Sequence, residues 1–225
     1  MIKIKKSADV PQILQDATPP ADYKSIDKKI YTDESVKRQL RDDQHGKCSY
    51  CECSLTGQFG DVEHYRPKNE YYALAYVWDN LLLSCEVCNR VCKNKKFPLF
   101  DESKRKVIEE ERPLIINPAK ENPADFIQHK RYLLVPTVKD GVEDRRGKYN
   151  IDLFKLNIRK DLVEKRRNMW EQLQRIEKII KLADGLCKKE MSEGFEMKTY
   201  ACALYDALKD NNNEFIGMIK HQAML

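Results

Sequence analysis

Two matched pairs of cysteines are the most distinctive chemical feature of this 225-residue sequence. Cys48 and Cys51 form one Cys-x-x-Cys pair, Cys85 and Cys88 form the other, and 33 residues separate the pairs. A two-residue spacer lets one tight turn present both sulfurs to the same ion, so the two pairs can complete a tetrahedral zinc site. Because four thiolates leave no open coordination position, this zinc is expected to be structural.

Disulfides are the main alternative use for the eight cysteines. The first residues, MIKIKKSADV, lack an apolar stretch long enough for a signal peptide, so a cytoplasmic location and metal binding are expected instead. Cys53 and Cys92 lie near the pairs but fit neither, so they are interpreted as spare thiols, with replacement of a ligand by one of them as the alternative. Cys187 and Cys202 lie outside this segment, and the sequence assigns them no role.

A carboxylate, a histidine and two asparagines lie between and just after the pairs. Hydrolysis of a phosphodiester needs a water nucleophile, a base, and a cation at the scissile phosphate. An imidazole, with an ordinary pKa of about 6.5, suits the base, and carboxylate and amide oxygens suit Mg²⁺ or Mn²⁺. The pattern therefore predicts His64 as the base, Glu63 and Asn89 as ligands of a catalytic metal, and Asn80 as the residue holding the loop that presents His64.

This arrangement carries a geometric condition. Neighbours on a regular strand point to opposite faces, so Glu63 and His64 act together only where the strand ends or twists, which Pro67 favours. Each residue also has an ordinary interpretation: His64 as a polar residue, Asn80 as a turn residue and Asn89 as a helix cap.

Basic residues crowd the same segment and are predicted to bind nucleic-acid phosphates, although a solvated charged face is the alternative. The net charge of +5, from 41 basic and 36 acidic residues, is too small to decide between phosphate binding and a solvated charged face. Four nearby aromatic side chains are expected mainly in the core, with stacking on nucleic-acid bases as the alternative; they are Tyr65, Tyr71, Tyr72 and Trp78. The predicted phosphate contacts are Arg66, Lys68, Arg90, Lys93, Lys95 and Lys96.

The elements that must position these residues suggest an α+β fold that is mainly α. Residues 1–46 form an N-terminal segment, 47–100 a zinc-bound core, and 101–225 a mixed and then helical region that makes one compact unit with the core. No apolar run approaches the ~20 residues of a membrane span.

Local patterns predict the individual elements. A helix is expected over 33–44, capped by Thr32 or Asp33 and ended by Gly46, followed by a strand and by a helix beginning near Cys85. Short strands are expected over 2–4, 114–116 and 132–135, and helices over 152–183 (ended by Gly185), 190–209 and 213–222. A helical bundle packed for stability or dimerisation explains the last region.

Taken in order, Cys-x-x-Cys, Glu-His-x-x-Pro, Asn-Leu and Cys-x-x-Cys-Asn followed by lysines resemble the motif of HNH (ββα-metal) endonucleases. CSYCE, VEHYRPK, WDNLLLSCEVCN and KFPL resemble, more narrowly, the PtuB nuclease subunits of Septu-type anti-phage defence systems. The stretches LIINPAKENPADFI and GKYNIDLFKLNIRKDLVEKRR extend the resemblance over roughly residues 35–170.

The resemblance implies a β-hairpin followed by a helix, with His64 as base, Glu63 and Asn89 on the catalytic metal, and Asn80 orienting the loop. It also implies a partner ABC-type ATPase of the PtuA kind. Related copies that accompany retrons add a retron reverse transcriptase and its DNA as partners. The substrate stays open between DNA and structured RNA such as tRNA.

Two departures from the wider HNH pattern leave the preferred metal open: the carboxylate is Glu63 rather than Asp, and the final residue is Asn89 rather than His. Two other classes remain. One is a catalytically inactive zinc ribbon that binds nucleic acid or protein, and the other is a four-cysteine redox or iron–sulfur protein.

Overall fold

The chain, described by a computed structural model for residues 1–57 and 60–221, is a mixed α/β protein in which helices predominate. The described residues form three separate two-stranded antiparallel sheets: β1 with β2, β3 with β4, and β5 with β6. The elements are α1 (Gln12–Gln15), α2 (Lys28–Tyr31), α3 (Glu34–Asp43), β1 (Asp61–His64), β2 (Leu81–Ser84), β3 (Ile127–Lys130), β4 (Leu133–Pro136), β5 (Val138–Lys139), β6 (Val142–Glu143), α4 (Arg145–Leu153), α5 (Lys160–Cys187), α6 (Ser192–Leu208) and α7 (Ile216–His221).

Helix α3 confirms the predicted helix over 33–44, with Asp33 as its cap. The Asp33 side chain accepts a hydrogen bond from the backbone N–H of Ser35, and Val36 and Leu40 are buried. Gly46 follows the helix with φ +63°, a conformation that glycine adopts without steric cost. The chain therefore turns sharply just before Cys48.

A glutamine then joins this turn to β2. The side-chain amide of Gln44 donates to the carbonyl of Leu83 at 2.8 Å and accepts from the N–H of Leu83 at 2.8 Å. These are the bonds that a neighbouring strand would make, so Gln44 satisfies the free edge of β2. As a result the first cysteine pair is held beside the strand that leads to the second.

The sheet formed by β1 and β2 is short and buried. Glu63 pairs with Leu82 and His64 with Leu81, so adjacent β1 side chains lie on opposite faces. A π-helix, Val87–Lys93, follows β2 and is marked by a bond from the N–H of Asn94 to the carbonyl of Asn89 at 2.6 Å. The spacing alone predicted one strand before this helix, whereas the chain forms two.

Several other predicted elements differ from the structure. Residues 2–4 form no strand, and the described contact there is a bond from Ile4 N–H to the carbonyl of Pro118 at 2.8 Å. Residues 114–116 are buried but not a strand, since the N–H of Ile116 bonds to the Asn150 side chain instead. The strand predicted over 132–135 is confirmed as β4, which pairs with β3.

The predicted helix over 152–183 is two helices. Helix α4 ends at Leu153, Lys155 adopts φ +52°, and α5 begins at Lys160 and continues through Gly185. The predictions over 190–209 and 213–222 correspond to α6 and α7, although residue 222 lies outside the described residues.

One continuous hydrophobic core joins the cysteine-rich segment to the helices that follow it. Tyr50, between the first two cysteines, stacks on Phe154 with ring centroids 4.2 Å apart, and both side chains are fully buried. Helices α5 and α6 pack against each other. None of the described helices combines the length and apolar character needed to cross a bilayer.

Candidate metal centre and adjoining histidine site

The four paired cysteines converge as the sequence predicted. The sulfurs of Cys48, Cys51, Cys85 and Cys88 all lie within 4.8 Å of one another, and all four residues are buried. The Sγ atoms of Cys51 and Cys85 are 3.8 Å apart, and a tetrahedral zinc with Zn–S bonds of about 2.3 Å requires sulfurs about 3.8 Å apart. Because no described cysteine forms a disulfide, the donor chemistry and the spacing fit a zinc ion.

Backbone hydrogen bonds hold the two cysteine turns together. The N–H of Ser49 donates to the carbonyl of Leu83 at 3.0 Å, which fixes the first turn on β2. In the second turn the N–H of Cys88 donates to the Cys85 sulfur at 3.4 Å, which favours the thiolate. Cys53, interpreted as a spare thiol, places its sulfur 3.3 Å from that of Cys51.

Arg159 is a member of this centre that the sequence did not reveal. Its Nη1 donates to the Cys88 sulfur at 3.4 Å across 71 residues of chain. Burial by itself lowers the pKa of Arg159, but the neighbouring thiolates of Cys51, Cys88 and Cys85 outweigh it and raise the pKa. Four thiolates with a bound Zn²⁺ would carry a net charge of −2, and the guanidinium would offset part of that charge. No spacing rule connects Arg159 to the cysteines.

His64, the last residue of β1, is buried and oriented by the backbone. Its Nε2 lies 3.0 Å from the carbonyl oxygen of Ala75, and its ring meets Tyr31 edge-on with centroids 4.7 Å apart. A carbonyl oxygen only accepts, so Nε2 carries the proton and Nδ1 is the basic nitrogen. Burial, with help from Lys68, lowers the pKa of His64 to about 3, so the ring is neutral at pH 7.

Asn80 ties together the loop between β1 and β2. Its Oδ1 accepts from the N–H of Arg66 at 2.8 Å, and its Nδ2 donates to the carbonyls of Arg66 and Leu74 at 3.1 Å each. Leu74 directly precedes Ala75, whose carbonyl orients His64. These bonds give a physical basis to the expected loop-holding role of Asn80, which stays a prediction as far as catalysis is concerned.

Glu63 is buried against a lysine. The Nζ of Lys93, a fully buried side chain, lies 2.5 Å from Glu63 Oε1 and donates to the carbonyl of His64 at 2.8 Å. Burial raises the pKa of Glu63, and the Lys93 charge opposes that rise only in part. The prediction that Lys93 contacts nucleic-acid phosphate is wrong for this structure, because its charge lies inside the protein and is already paired.

Asn89 contacts a different carboxylate from the one predicted to share a metal with it. Its Nδ2 donates to Asp61 Oδ2 at 3.1 Å, and Arg90 binds both Asp61 oxygens at 2.7 and 2.8 Å. Asp61 and Glu63 are two residues apart on β1 and share one face, which meets the π-helix. The carboxylate oxygens of Asp61 and Glu63 suit a hard divalent cation, but such an ion would have to displace the Lys93 ammonium or the Arg90 guanidinium from them.

The other predicted phosphate contacts divide into two groups. Arg66 and Lys68 are half-buried and donate to a carboxylate and to a tyrosine hydroxyl of the protein at 2.8 and 2.7 Å. The exposed members are Arg90, Lys95 and Lys96. Of the four aromatic residues expected in the core, Tyr65, Tyr71 and Trp78 are buried, whereas Tyr72 is exposed.

Comparisons with known proteins relate the chain to Septu-type defence proteins, although no protein-family model matches it. It is 33% identical over 174 residues to "Septu protein PtuB" of Bacillus mycoides (strain KBAB4) and 29% identical over 153 residues to "Septu protein PtuB" of Bacillus thuringiensis. The alignments cover 69% and 67% of this chain and 57% and 52% of those proteins, so the chain spans about half the length of these relatives. A third similarity, 25% over 195 residues, is to "Septu protein PtuA" of Bacillus mycoides (strain KBAB4), and it covers 78% of this chain and 26% of that protein.

Proposed function

We propose that the chain is a metal-dependent HNH endonuclease that hydrolyses phosphodiester bonds as part of a Septu-type anti-phage defence system. The orientation of His64 is the observation that carries the catalytic part, because a buried, neutral imidazole anchored at Nε2 retains one basic nitrogen. The similarity to proteins named PtuB supports the defence part.

In this proposal Nδ1 of His64 accepts the proton of the water that attacks phosphorus. The carbonyl of Ala75 keeps the proton on Nε2 beforehand and stabilises the imidazolium afterwards. An anionic phosphate bound beside the ring would raise the pKa of His64 toward neutrality, because negative charge favours the protonated form. The base therefore becomes stronger when substrate is present.

The cation in this reaction would be Mg²⁺ or Mn²⁺. Glu63 and Asn89, with Asp61 beside them, would hold it, and when bound it supplies positive charge at the scissile phosphate. The exposed side chains of Arg90, Lys95 and Lys96 would bind flanking phosphates. The four-cysteine zinc would have a purely structural role in fixing β2 and the π-helix.

We further propose a PtuA-type ABC ATPase as partner, since relatives of this chain carry the names of both Septu proteins. DNA and structured RNA such as tRNA are both chemically suitable substrates, because both present the same phosphodiester. In a retron-linked system the partners would also include the reverse transcriptase and its DNA.

One observation favours the alternative of a catalytically inactive zinc ribbon that binds nucleic acid or protein. Both carboxylates on the relevant face of β1 are paired with protein cations, Glu63 with Lys93 and Asp61 with Arg90. In a protein without catalytic activity these two ion pairs would have only a structural role and would not open to bind a metal ion.

The test compares wild type, His64→Ala and a matched control, His45→Asn. His45 is exposed and has φ +52°, a conformation that asparagine adopts readily. Each protein is incubated with plasmid DNA and with total tRNA, in Mg²⁺, Mn²⁺ or EDTA, with and without the PtuA-type ATPase. Zinc content and circular dichroism check that each variant is folded.

Cleavage by wild type and His45→Asn that disappears in His64→Ala and in EDTA would support the endonuclease, and the substrate cut would identify its target. Equal cleavage by His64→Ala would refute His64 as the base. No cleavage by any of the proteins under any condition, with the partner present, would favour the inactive zinc ribbon.

A further inference from the structure

Lys93 is the most unusual charged residue near the histidine site. Its side chain has no exposed surface, although lysine is almost never fully buried without a partner. Its ammonium contacts two consecutive residues of β1, the carboxylate of Glu63 at 2.5 Å and the backbone carbonyl of His64 at 2.8 Å. Lys93 is therefore a cation built into the protein beside the carboxylate proposed to bind metal.

The backbone that carries Lys93 is also irregular. Lys93 is the last residue of the π-helix, and the next residue, Asn94, has φ +49°. A π-helix accommodates one more residue per turn than an α-helix would, and such segments occur often at functional sites. The wider turn lets Cys88 reach the zinc cluster while Lys93, five residues on, reaches Glu63.

We propose that Lys93 is a positioning residue that controls metal binding at Glu63, with its ammonium occupying the carboxylate until a divalent cation displaces it. This inference rests on the proposed function, because it concerns the same metal. An arriving ion with two positive charges is repelled by the ammonium and competes with it for the same oxygen. Lys93 thus weakens metal binding in the resting protein and holds Glu63 and the His64 backbone in place.

Direct metal binding tests this without measuring cleavage. The affinity for Mn²⁺ is measured by the EPR signal of free Mn²⁺ in zinc-loaded wild type, Lys93→Met, Lys93→Arg and the double variant Lys93→Met with Glu63→Gln. Methionine has a similar length without charge, so Lys93→Met should bind Mn²⁺ at least about tenfold more tightly than wild type. Lys93→Arg should stay close to wild type, and the double variant should lose the gain.

Equal or weaker Mn²⁺ binding by a folded Lys93→Met would overturn the inference and leave the proposed nuclease standing. If wild type and Lys93→Met do not bind Mn²⁺, or if the double variant with Glu63→Gln binds it as tightly as Lys93→Met does, both the inference and the proposed metal site are wrong.

A second measurement needs no variant of Lys93. In protein labelled with ¹³C-lysine, the Cε resonance of Lys93 should shift as Mg²⁺ is added, and it should not shift in Glu63→Gln. A Lys93 resonance that stays unchanged at saturating Mg²⁺ would contradict displacement of the ammonium.

Discussion

Among the described residues, Arg159 is the side-chain cation that donates to a sulfur of the four-cysteine group, and Arg159→Met removes it. The Arg159 side chain is 12% exposed, and its Nη1 lies 3.4 Å from the Cys88 sulfur. Hydrogen bonds to charged groups contribute about 1.5–3 kcal/mol, and each 1.4 kcal/mol is tenfold in a dissociation constant. Replacing Arg159 by the uncharged methionine should therefore raise the zinc dissociation constant by about 10- to 140-fold.

The assay is competition for zinc between the protein and a chromophoric chelator at several chelator concentrations. Arg175→Met is the matched control, because Arg175 lies on α5, the helix that begins directly after Arg159, and its side chain is 75% exposed. Arg159→Lys keeps the charge but loses the planar geometry, so its zinc affinity should fall between those of wild type and Arg159→Met.

Zinc affinity of a folded Arg159→Met within about twofold of wild type would refute this reasoning. It would mean that the guanidinium contributes nothing to holding the ion and that its closeness to Cys88 follows from packing alone. An equal loss in Arg175→Met would point to a general effect of net charge instead.

Two further predictions concern the same architecture. Cys88→Ser or Cys85→Ser should lose zinc and unfold or melt at a lower temperature, because one of four ligands is missing, whereas Cys202→Ser on α6 should change neither zinc content nor melting temperature. Metal analysis measures the zinc content, and thermal melting measures the stability. A stable, soluble, zinc-free variant of Cys85 or Cys88 would contradict the structural role. Asn80→Ala removes three side-chain hydrogen bonds and should lower the free energy of unfolding, measured by urea titration, by about 2–4 kcal/mol. The control Asn212→Ala, at an exposed position, should have no effect. A loss below about 1 kcal/mol for Asn80→Ala would refute the role of Asn80 in holding the loop.

Local signals succeeded where geometry is set by neighbours in the chain. Helix α3 was predictable because a capping aspartate, Asp33, precedes apolar residues at the helical spacing of Val36 and Leu40. The break between α4 and α5 was not predictable, because Lys155 adopts its left-handed conformation without the glycine or proline that would signal it. Gly185 was misleading as a stop signal, because α5 continues through it to Cys187.

For the candidate site, the sequence indicated the residues and the structure showed their contacts. The sequence named Glu63, His64, Asn80 and Asn89 through their types and order, but it could not show which of them touch. The structure pairs Glu63 with Lys93 and directs Asn89 to Asp61. A lysine in a basic run resembles a surface residue in the sequence, so the burial of Lys93 could not be read from its neighbours.

The sequence by itself determined the four cysteines that could hold a metal ion, because each Cys-x-x-Cys turn places two sulfurs through local backbone geometry. Tertiary structure decided which charged groups lie against those sulfurs and against β1. Arg159 reaches Cys88 across 71 residues of chain, and Lys93 reaches Glu63 from the π-helix. It also decided which nitrogen of His64 is basic, because that depends on the carbonyl of Ala75. Contacts between distant segments form only when the whole chain packs, and the periodicity of a single segment holds no record of them.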